Sequence, residues 1–354
     1  MSSDPQVEAS FEATIAGFLR RQRTKPTPLP SDLRIPGQTA IVTGSNVGLG
    51  LAASRQLLAL GLSNLVMGVR SQAKGDAAAA QLRDEFPDSQ VSVWTLDMES
   101  YDSVRSFAER CASLPRIDVV ILNAGLIAPS YTTVPATGHE LTMQVNYLST
   151  ALLTLLLIPV LKSKRAPGAP RPPVLTIVGS DAAYIGSLES EGPVLAQLDQ
   201  PKGYEQFSRY STSKLMLTLF VGELAELVDP DDVLINLCNP GPTKGTSFGH
   251  SNSAIVKRVF GVILYFFARS VDVGASIYLD ATLTRGAESH GKFISDWAIK
   301  PWVCYSLLFL ILCANTISFP RIWYTEEGRQ VGDRLMEETM KELEPMGASL
   351  PRRP

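Results

Sequence analysis

The sequence predicts an α/β fold in which a doubly wound parallel sheet is covered by helices on both faces. Short β-branched runs alternate with stretches of helical composition, which is the pattern of consecutive βαβ units. A glycine-rich segment follows the first of these runs, as it does where a strand turns sharply into a helix. The chain has 354 residues, of which 45% are hydrophobic and 19% charged, so its composition provides for a large buried core.

The predicted strands and helices begin at Thr39 and alternate along the chain. TAIVTG is the first strand, and NVGLGLAASRQLLALG is the first helix. The strand NLVMGVR, the helix AKGDAAAAQLRDEF, the strand VSVWTLDM and the helix SVRSFAERCAS follow in order. Four later runs are also predicted as strands: IDVVILNAG, PVLTIVGS, VLINLCNPG and GKFISD. Their apolar character favours strands of a parallel sheet that are buried on both faces.

The chain divides into four predicted parts. Residues 1–35 form an N-terminal helix and a proline-rich linker, and residues 36–300 form a single domain built on the sheet. Residues 301–323 are an apolar insertion, and residues 324–354 are a C-terminal helix and tail. The segment FEATIAGFLRRQR of the first part is amphipathic, so it either packs on the outside of the domain or contacts a membrane.

Composition excludes several classes of function. The net charge of −3 gives no general attraction to nucleic acid. Four cysteines and three histidines are too few and too irregularly spaced for a zinc cage or a disulfide framework, so we expect no metal. The N-terminus MSSDPQVEAS lacks the basic and apolar regions of a secretory signal, so we expect an intracellular, cytoplasmic protein.

The first βα turn is a candidate phosphate-binding site. Residues 43–50 read TGSNVGLG and lie between the first strand and the first helix. Glycines at this place let the backbone approach a pyrophosphate, whose charge the helix N-terminus stabilises. An ordinary βα turn also contains glycine, but the position inside a βαβ unit favours a dinucleotide.

The end of the second strand indicates which dinucleotide binds. An acidic residue there would bind the ribose hydroxyls of NAD, whereas this chain has Arg70, with Lys74 four residues later. A guanidinium matches a phosphate in a bidentate manner, and no carboxylate stands at this strand end to repel the 2′-phosphate of NADP. The sequence therefore predicts NADP(H). If Arg70 only stacks on the adenine, the protein could use either NAD or NADP.

A tyrosine and a lysine, Tyr210 and Lys214, lie one helical turn apart. The phenol can donate a proton to a carbonyl oxygen as a hydride arrives, provided that its pKa is lowered from about 10. A neighbouring lysine cation does this by stabilising the phenolate. Ser180 ends the strand PVLTIVGS, where its hydroxyl can hold the substrate oxygen.

Together these segments resemble the short-chain dehydrogenase/reductase family in its single-domain form, over roughly residues 36–300. The subtype resembles the retinol-dehydrogenase-like members of fungal secondary metabolism, which share the N-terminal helix, the arginine after the second strand and a T-E-E-G helix near the C-terminus. The matching motifs occur in the family's order: the turn at 43–50, Asp97, Asn123-Ala124-Gly125, Asn146, Ser180, Tyr210 with Lys214, and Asn239-Pro240-Gly241.

The resemblance implies a Rossmann-type fold and a set of cofactor-binding residues. The pyrophosphate would lie against the glycine turn, the adenosine phosphate against the basic residues after the second strand, and the nicotinamide under the N-P-G segment. Asp97 would meet the adenine edge, and Asn123 the cofactor ribose region. The full set is Gly44, Ser45, Gly48, Leu49, Gly50, Arg70, Lys74, Asp97, Asn123, Tyr210, Lys214, Pro240, Gly241 and Thr243.

Four residues are implied as catalytic. Tyr210 would be the general acid/base, and Ser180 would anchor the carbonyl oxygen. Lys214 would bind the nicotinamide ribose and lower the pKa of Tyr210, while Asn146 would hold a proton-relay water.

Three features depart from the simplest members of the family. Ser180 and Tyr210 are 30 residues apart, about twice the usual separation, so the chain has an extra segment beside the substrate site. The turn after Pro240-Gly241 reads PTKGT, so either Thr243 or Thr246 would contact the carboxamide of the cofactor. Gly179 stands where a second serine is common.

The resemblance implies an NADPH-dependent reductase, or the reverse dehydrogenase, acting on a small apolar ketone or aldehyde and its alcohol in secondary-metabolite biosynthesis. A membrane-associated lipid, sterol or retinoid dehydrogenase is one alternative, and a non-catalytic NADP-binding protein is another. Substrate contacts are expected from residues 181–209 and 243–268. The oligomeric state is open, with a dimer as one candidate.

The segment from Trp302 to Phe319 contains 18 uncharged residues, which just reaches the length of a membrane-spanning helix. Membrane contact through this segment is therefore one hypothesis, although Asn315 and Pro320 count against it. A buried core segment is the second hypothesis, and a translated retained intron is the third. The sequence leaves all three open.

Overall fold

The fold is built on a mostly parallel sheet with the strand order β3-β2-β1-β4-β5-β7-β8-β9. A computed structural model describes residues 15–244, 268–300, 316–318 and 325–351. Within them β9 alone runs antiparallel in this sheet, against β8. The strands are β1 (Thr39–Thr43), β2 (Asn64–Val69), β3 (Gln90–Thr95), β4 (Val119–Leu122), β5 (Val174–Val178), β6 (Ser187–Glu189), β7 (Leu234–Asn239), β8 (Phe293–Ser295), β9 (Ala298–Lys300) and β10 (Thr316–Ser318).

Helices cover both faces of the sheet. The described helices are α1 (Ile15–Arg23), α2 (Gly48–Ala59), α3 (Gln72–Glu85), α4 (Tyr101–Cys111), α5 (Leu141–Ser163), α6 (Gln206–Ala225), α7 (Val271–Leu279) and α8 (Glu326–Leu343). Residues of α2, α3 and α7 share one hydrophobic cluster with one face of the strands. Residues of α4, α5, α6 and α8 share the other.

Strand β1 illustrates why the sheet lies at the centre. Ala40 and Val42 pack into one cluster and Ile41 into the other, and all three are fully buried. Because successive side chains of a strand point to opposite faces, a strand that is buried on both sides must be apolar throughout. The predicted doubly wound α/β fold is confirmed, with the strand order of a Rossmann sheet from β3 to β5.

Three short strands were not predicted. Strand β9 folds back on β8 at the edge of the sheet. Strands β6 and β10 form a separate two-stranded antiparallel sheet, in which Leu188 pairs with Ile317. Each of the three has only three residues, which is too short for a hydrophobic periodicity to appear in the sequence.

The apolar segment 302–319 lies largely outside the described residues. Its described part, Thr316–Ser318, is β10 and pairs with β6 in the extra segment after Ser180. A single helix over the whole of 302–319 is incompatible with this strand. The three hypotheses for residues 302–315 stay predictions.

Helix α5 is long and apolar enough to cross a membrane, and it is the one helix of this kind among the described residues. Most of it is buried inside the protein. The sequence LSTALLTLLLIPVL, predicted as a buried helix, forms its central part and packs against α4 and the sheet. Its apolar character is therefore explained by its place in the core.

The C-terminal helix α8 is held to the domain by a charged cluster around His139. The Nδ1 atom of His139 lies 2.7 Å from Asp199 Oδ2, and its Nε2 atom lies 3.3 Å from Glu342 Oε1. Burial lowers the pKa of His139, but the hydrogen bonds with Asp199 and Glu342 outweigh it and raise the pKa to about 9. The protonated imidazole thus joins α8 to the segment that precedes α6.

This cluster predicts a pH-dependent contribution to stability. Because the folded-state pKa of His139 is above that of a free histidine, its stabilisation is fully present below about pH 6.5 and is lost as pH rises through about 9. We expect His139→Gln to lower the free energy of unfolding by about 3 kcal/mol at pH 6 and by much less at pH 10. Urea unfolding at both pH values measures this.

The matched control is His290→Gln, because burial lowers the pKa of His290 instead. This variant should not lose its effect at high pH. An equal loss of stability in His139→Gln at pH 6 and pH 10 would show that the cluster does not act through charge.

Candidate active site

The candidate site lies at the carboxyl ends of the central strands. Strands β1, β4, β5 and β7 are neighbours in the sheet and parallel to one another. The segments that follow them contain Gly44, Asn123, Ser180 and Pro240. In an open α/β sheet, ligands bind at this edge, where the strand order reverses. The topology therefore brings the distant sequence motifs to one place.

The turn after β1 leaves no room for side chains at two of its glycines. Gly44 has φ +64°, and a Cβ atom there would lie 3.0 Å from the Cα of Ala124. A Cβ atom on Gly50 would lie 2.5 Å from the carbonyl oxygen of Gly44. Gly48 has φ +56°, which only glycine adopts without strain. The turn thus brings the start of α2 close to the ends of β1 and β4.

Polar groups in this turn lack side-chain partners among the described residues. Val47 precedes α2 and provides no side-chain cap for its first amides, which need a partner from elsewhere. The hydroxyl of Ser45 is fully buried and has no hydrogen-bond partner among the described residues. Leu49, by contrast, packs inside the protein: a Cβ on Gly274 of α7 would lie 2.8 Å from Leu49 Cδ2. Uncapped amides at a helix N-terminus fit the pyrophosphate of a dinucleotide.

The structure corrects the interpretation of the adenosine end. Arg70 follows β2 and is 67% exposed, but its guanidinium pairs with the carboxylate of Glu99. The sequence predicted that no carboxylate stands at this strand end to repel a 2′-phosphate. This prediction is wrong in three dimensions, because Glu99 follows the neighbouring strand β3 and reaches Arg70. Asp97 Oδ1 accepts a hydrogen bond from the Glu99 amide, and Lys74 lies exposed in the first turn of α3.

Asn123 is hydrogen-bonded inside the protein, and its predicted contact with the cofactor ribose region stays a prediction. Its side-chain Nδ2 donates to the carbonyl oxygens of Thr43 and Gly44, at 3.0 Å and 3.2 Å. Its Oδ1 accepts from the Tyr278 hydroxyl at 3.0 Å. Both ends of the amide are thus used inside the protein, and the side chain holds the glycine turn in place.

Tyr210 lies near the start of α6 and is 6% exposed. Burial raises the pKa of its phenol, a hydrogen bond with Ser180 lowers it, and the charge of Asp181 raises it. Ser180 follows β5, and its Oγ accepts from the amide of Ala182 at 3.1 Å. The structure therefore brings the hydroxyls of Ser180 and Tyr210 together, although the two residues are 30 positions apart in the sequence.

Lys214 lies one turn further along α6, with its ammonium at the end of β5. Its Nζ donates to the carbonyl oxygen of Val178 at 2.8 Å and lies 5.8 Å from the centre of the Tyr210 ring. Burial lowers the pKa of Lys214 to about 8. At neutral pH the group is a cation beside the phenol.

Asn146 lies in a π-helical turn, Gln144–Leu148, near the start of α5. Its amide bonds both main-chain groups of Leu126, each at 2.8 Å, and its Nδ2 also donates to Ser213 Oγ. A Cβ on Gly125 would lie 3.1 Å from Asn146 Oδ1 and 3.9 Å from Lys214 Nζ. The side chain therefore holds the segment after β4 beside Lys214, and the predicted contact with a proton-relay water stays a prediction.

The N-P-G segment closes the site from the side of β7. Gly241 has φ +69°, and its amide donates to Asn239 Oδ1 at 3.0 Å. Thr243 is buried, and its hydroxyl donates to the carbonyl oxygen of Gly241 at 3.0 Å. Thr246 lies outside the described residues, as does all of 245–267 within the segment 243–268 that is expected to contact the substrate.

The extra segment after Ser180 forms the other side of the site. It contains a 3₁₀ turn, Asp181–Ile185, and strand β6. Ile185 is 45% exposed, and Phe207 is 41% exposed with its ring stacked on Tyr210. Packing explains why glycine stands at position 179, because a Cβ there would lie 3.1 Å from the ring of Phe293.

Three residues near the site were not identified from the sequence. Glu99 pairs with Arg70, Tyr278 bonds Asn123, and Arg21 of α1 pairs with Asp181. Each pair joins positions far apart in sequence, and no local motif marks them.

The comparisons with known proteins agree with this geometry. The family model for short chain dehydrogenase matches residues 38–169. The short chain dehydrogenase virL of Hypocrea virens is 56% identical over 349 residues, covering 99% of this chain and 97% of that protein. The chain belongs to the short-chain dehydrogenase/reductase family. The short chain dehydrogenase/reductase mfmJ of Annulohypoxylon moriforme is 41% identical, over 92% of this chain and 91% of that protein.

Solved structures show the same fold. The Pseudomonas aeruginosa RhlG/NADP active-site complex superposes with a TM-score of 0.53 at 20% identity, covering 75% of this chain and 97% of that one. As a short-chain dehydrogenase/reductase, the protein is an oxidoreductase of a family that uses nicotinamide cofactors.

Proposed function

We propose that the protein is an NADPH-dependent reductase that interconverts an apolar ketone or aldehyde and its alcohol, in secondary-metabolite biosynthesis. The observation that carries the proposal is the juxtaposition of Ser180, Tyr210 and Lys214 at the strand ends that carry the glycine turn. A protein that only bound the dinucleotide would not need a buried phenol and a buried ammonium side by side.

The proposed reaction divides the work between the cofactor and the protein. A bound nicotinamide would supply the hydride. Ser180 would hold the carbonyl oxygen by a hydrogen bond, and Tyr210 would donate a proton to that oxygen. Lys214 would keep a positive charge beside the phenol, which stabilises the phenolate that remains after proton transfer.

The electrostatics favour Tyr210 as a proton donor at neutral pH. Burial raises the pKa of its phenol in the absence of ligands, so the group is protonated before the reaction. Reduction uses this protonated form, whereas oxidation of the alcohol needs the phenolate. The pKa of Tyr210 in the protein without cofactor is thus raised, not lowered as the sequence predicted, and we propose reduction as the direction that uses the protonated phenol.

The proposed substrate class is supported by apolar side chains in the segments that carry the two hydroxyls. Ile185 ends the 3₁₀ turn that begins after Ser180, and Phe207 lies three residues before Tyr210. Both expose much of their apolar surface. Exposed apolar side chains beside reactive polar groups are typical of a site for an apolar ligand. Phe207 adds a flat face, on which an aromatic ring can stack.

A direct assay tests the proposal. Purified protein is mixed with NADPH and a panel of apolar ketones and aldehydes, and loss of cofactor absorbance is followed. We expect turnover with at least one aromatic or aliphatic apolar carbonyl compound. Tight NADPH binding without turnover of any compound, in either direction, would favour the non-catalytic alternative.

The cofactor preference is a separate prediction. We expect a higher kcat/KM with NADPH than with NADH, because the guanidinium of Arg70 can leave Glu99 and pair with a 2′-phosphate. Arg70→Asp should lower the ratio of the two kcat/KM values by roughly 10- to 100-fold, the effect of losing a charged hydrogen bond of about 1.5–3 kcal/mol. Glu99→Gln should raise the ratio, since it removes the competing carboxylate.

Arg105→Asp is the matched control, since Arg105 is an exposed arginine of α4 that pairs with Asp102. It should leave the ratio unchanged. Equal kcat/KM values for NADPH and NADH in the wild type would contradict the assignment of Arg70.

A further inference from the structure

Helix α1 reaches into the candidate site through Arg21. Its Nη2 lies 3.3 Å from Asp181 Oδ2, and the two side chains are 6% and 14% exposed. The guanidinium also lies over the ring of Tyr184, 6.0 Å from its centre. Asp181 directly follows Ser180, so this buried ion pair acts on the turn that carries the proposed carbonyl anchor.

A second set of bonds fixes the position of Arg21. Its main-chain oxygen accepts from Arg269 Nη2 at 2.6 Å, and Arg269 Nη1 donates to the carbonyl oxygen of Pro240 at 3.1 Å. Arg269 is itself paired with Asp296 at 2.6 Å. Helix α1 is thus held between the N-P-G segment and the Ser180 turn.

The pair also controls the charge that Tyr210 faces. From the turn after β5, Ser180 bonds the phenol and Asp181 acts on it through its charge. From α6 itself Lys214 faces the ring, and from α7 Tyr278 is electrostatically coupled to it. Asp181 is the anionic group of this set, and its charge raises the pKa of Tyr210. In the part of the chain that the structure describes, Asp181 forms its ion pair with Arg21.

We infer that Arg21 is a positioning residue for the reaction: it neutralises Asp181 and holds the Ser180 turn against Tyr210. The inference rests on the proposed function, because it assigns Tyr210 as the acid/base. It gives the N-terminal helix a part in catalysis without contact with the substrate.

Two single variants should move the pH profile of alcohol oxidation in opposite directions. In Arg21→Gln the unpaired carboxylate disfavours the phenolate, so the half-maximal pH rises by about half a unit to one unit. In Asp181→Asn the negative charge is gone, and the half-maximal pH falls. The double variant should return close to the wild-type value, because neither charge remains.

The kcat values of two Arg21 variants should distinguish the positioning of the Ser180 turn from the effect of the Arg21 charge. We expect kcat to fall about tenfold in Arg21→Gln, because the Ser180 turn shifts and a misplaced catalytic group slows the reaction. In Arg21→Lys, which keeps the charge, kcat should recover in part. Lys25→Gln removes an exposed positive charge just after α1 and should leave both kcat and the pH profile unchanged. Thermal unfolding of each variant shows whether it is folded.

Unchanged pH profiles in both Arg21→Gln and Asp181→Asn would overturn the inference, as would shifts in the same direction. If Arg21→Gln does not fold, Asp181→Asn and Arg21→Lys still decide the matter. A wild-type protein that binds NADPH but converts no alcohol or carbonyl compound would instead refute the proposed function.

Discussion

Tyr210→Phe should lower kcat by about 10²- to 10⁴-fold, the usual contribution of general acid/base catalysis. The substitution removes one hydroxyl from a buried ring, so the packing against Phe207 remains. The phenol is placed to donate to the substrate and bonds Ser180. We therefore expect the NADPH dissociation constant, measured by cofactor fluorescence, to stay within about threefold of the wild-type value, a change below about 0.7 kcal/mol.

A second tyrosine serves as the control for this experiment. Tyr101 is also buried, but its hydroxyl donates to Glu342 of α8 at 3.2 Å and is not one of the proposed catalytic groups. Tyr101→Phe should keep nearly full activity. If Tyr210→Phe retains more than about a tenth of the wild-type kcat, a smaller loss than acid/base catalysis requires, another group donates the proton.

The sheet could be predicted because its signals are local. Runs such as TAIVTG and PVLTIVGS carry the apolar character of buried parallel strands, and each ends in a glycine or a small polar residue. The glycine turn at 43–50 is likewise a local signal, since positive φ values and close backbone approach restrict Gly44, Gly48 and Gly50 whatever surrounds them. Strand β10 depends on pairing with β6, far away in sequence, and leaves no such trace.

The site could be predicted only as far as its motifs extend. Tyr210 and Lys214 share one face of a helix by spacing alone, and the parallel topology places Ser180 at the same edge. The motifs do not show which groups each side chain bonds. Asn123 has the sequence position of a cofactor contact, yet three main-chain and side-chain groups of the protein occupy its amide.

Charged pairs across long separations were the hardest feature to foresee. Arg21 and Asp181 are 160 residues apart, and Arg70 meets Glu99 because β2 and β3 are neighbours that end at the same level. Nothing in the residues around Arg21 distinguishes it from Arg20 and Arg23 on the same short helix. Its burial follows from the way α1 docks on the domain, which is a tertiary property.

Lys214→Met should lose both catalysis and cofactor affinity. Removing the cation takes away the charge that we propose stabilises the Tyr210 phenolate, and we expect kcat to fall about 10³-fold, within the range of an acid/base defect. The proposed contact with the cofactor ribose is lost as well, so the NADPH dissociation constant should rise about tenfold, or about 1.4 kcal/mol. Stopped-flow fluorescence and steady-state kinetics measure the two losses separately.

The pH dependence of cofactor binding gives the sharpest form of this prediction. Because burial lowers the pKa of Lys214 to about 8, the cofactor-free protein loses this cation as pH rises through 8. NADPH affinity of the wild type should therefore weaken above about pH 8, whereas Lys214→Met should lack this dependence. Lys162→Met removes an exposed lysine that pairs with Asp232, and it should behave like the wild type in all three measurements. A Lys214→Met protein that binds NADPH as tightly as the wild type at pH 7 would show that Lys214 acts on Tyr210 alone, without contact with the cofactor.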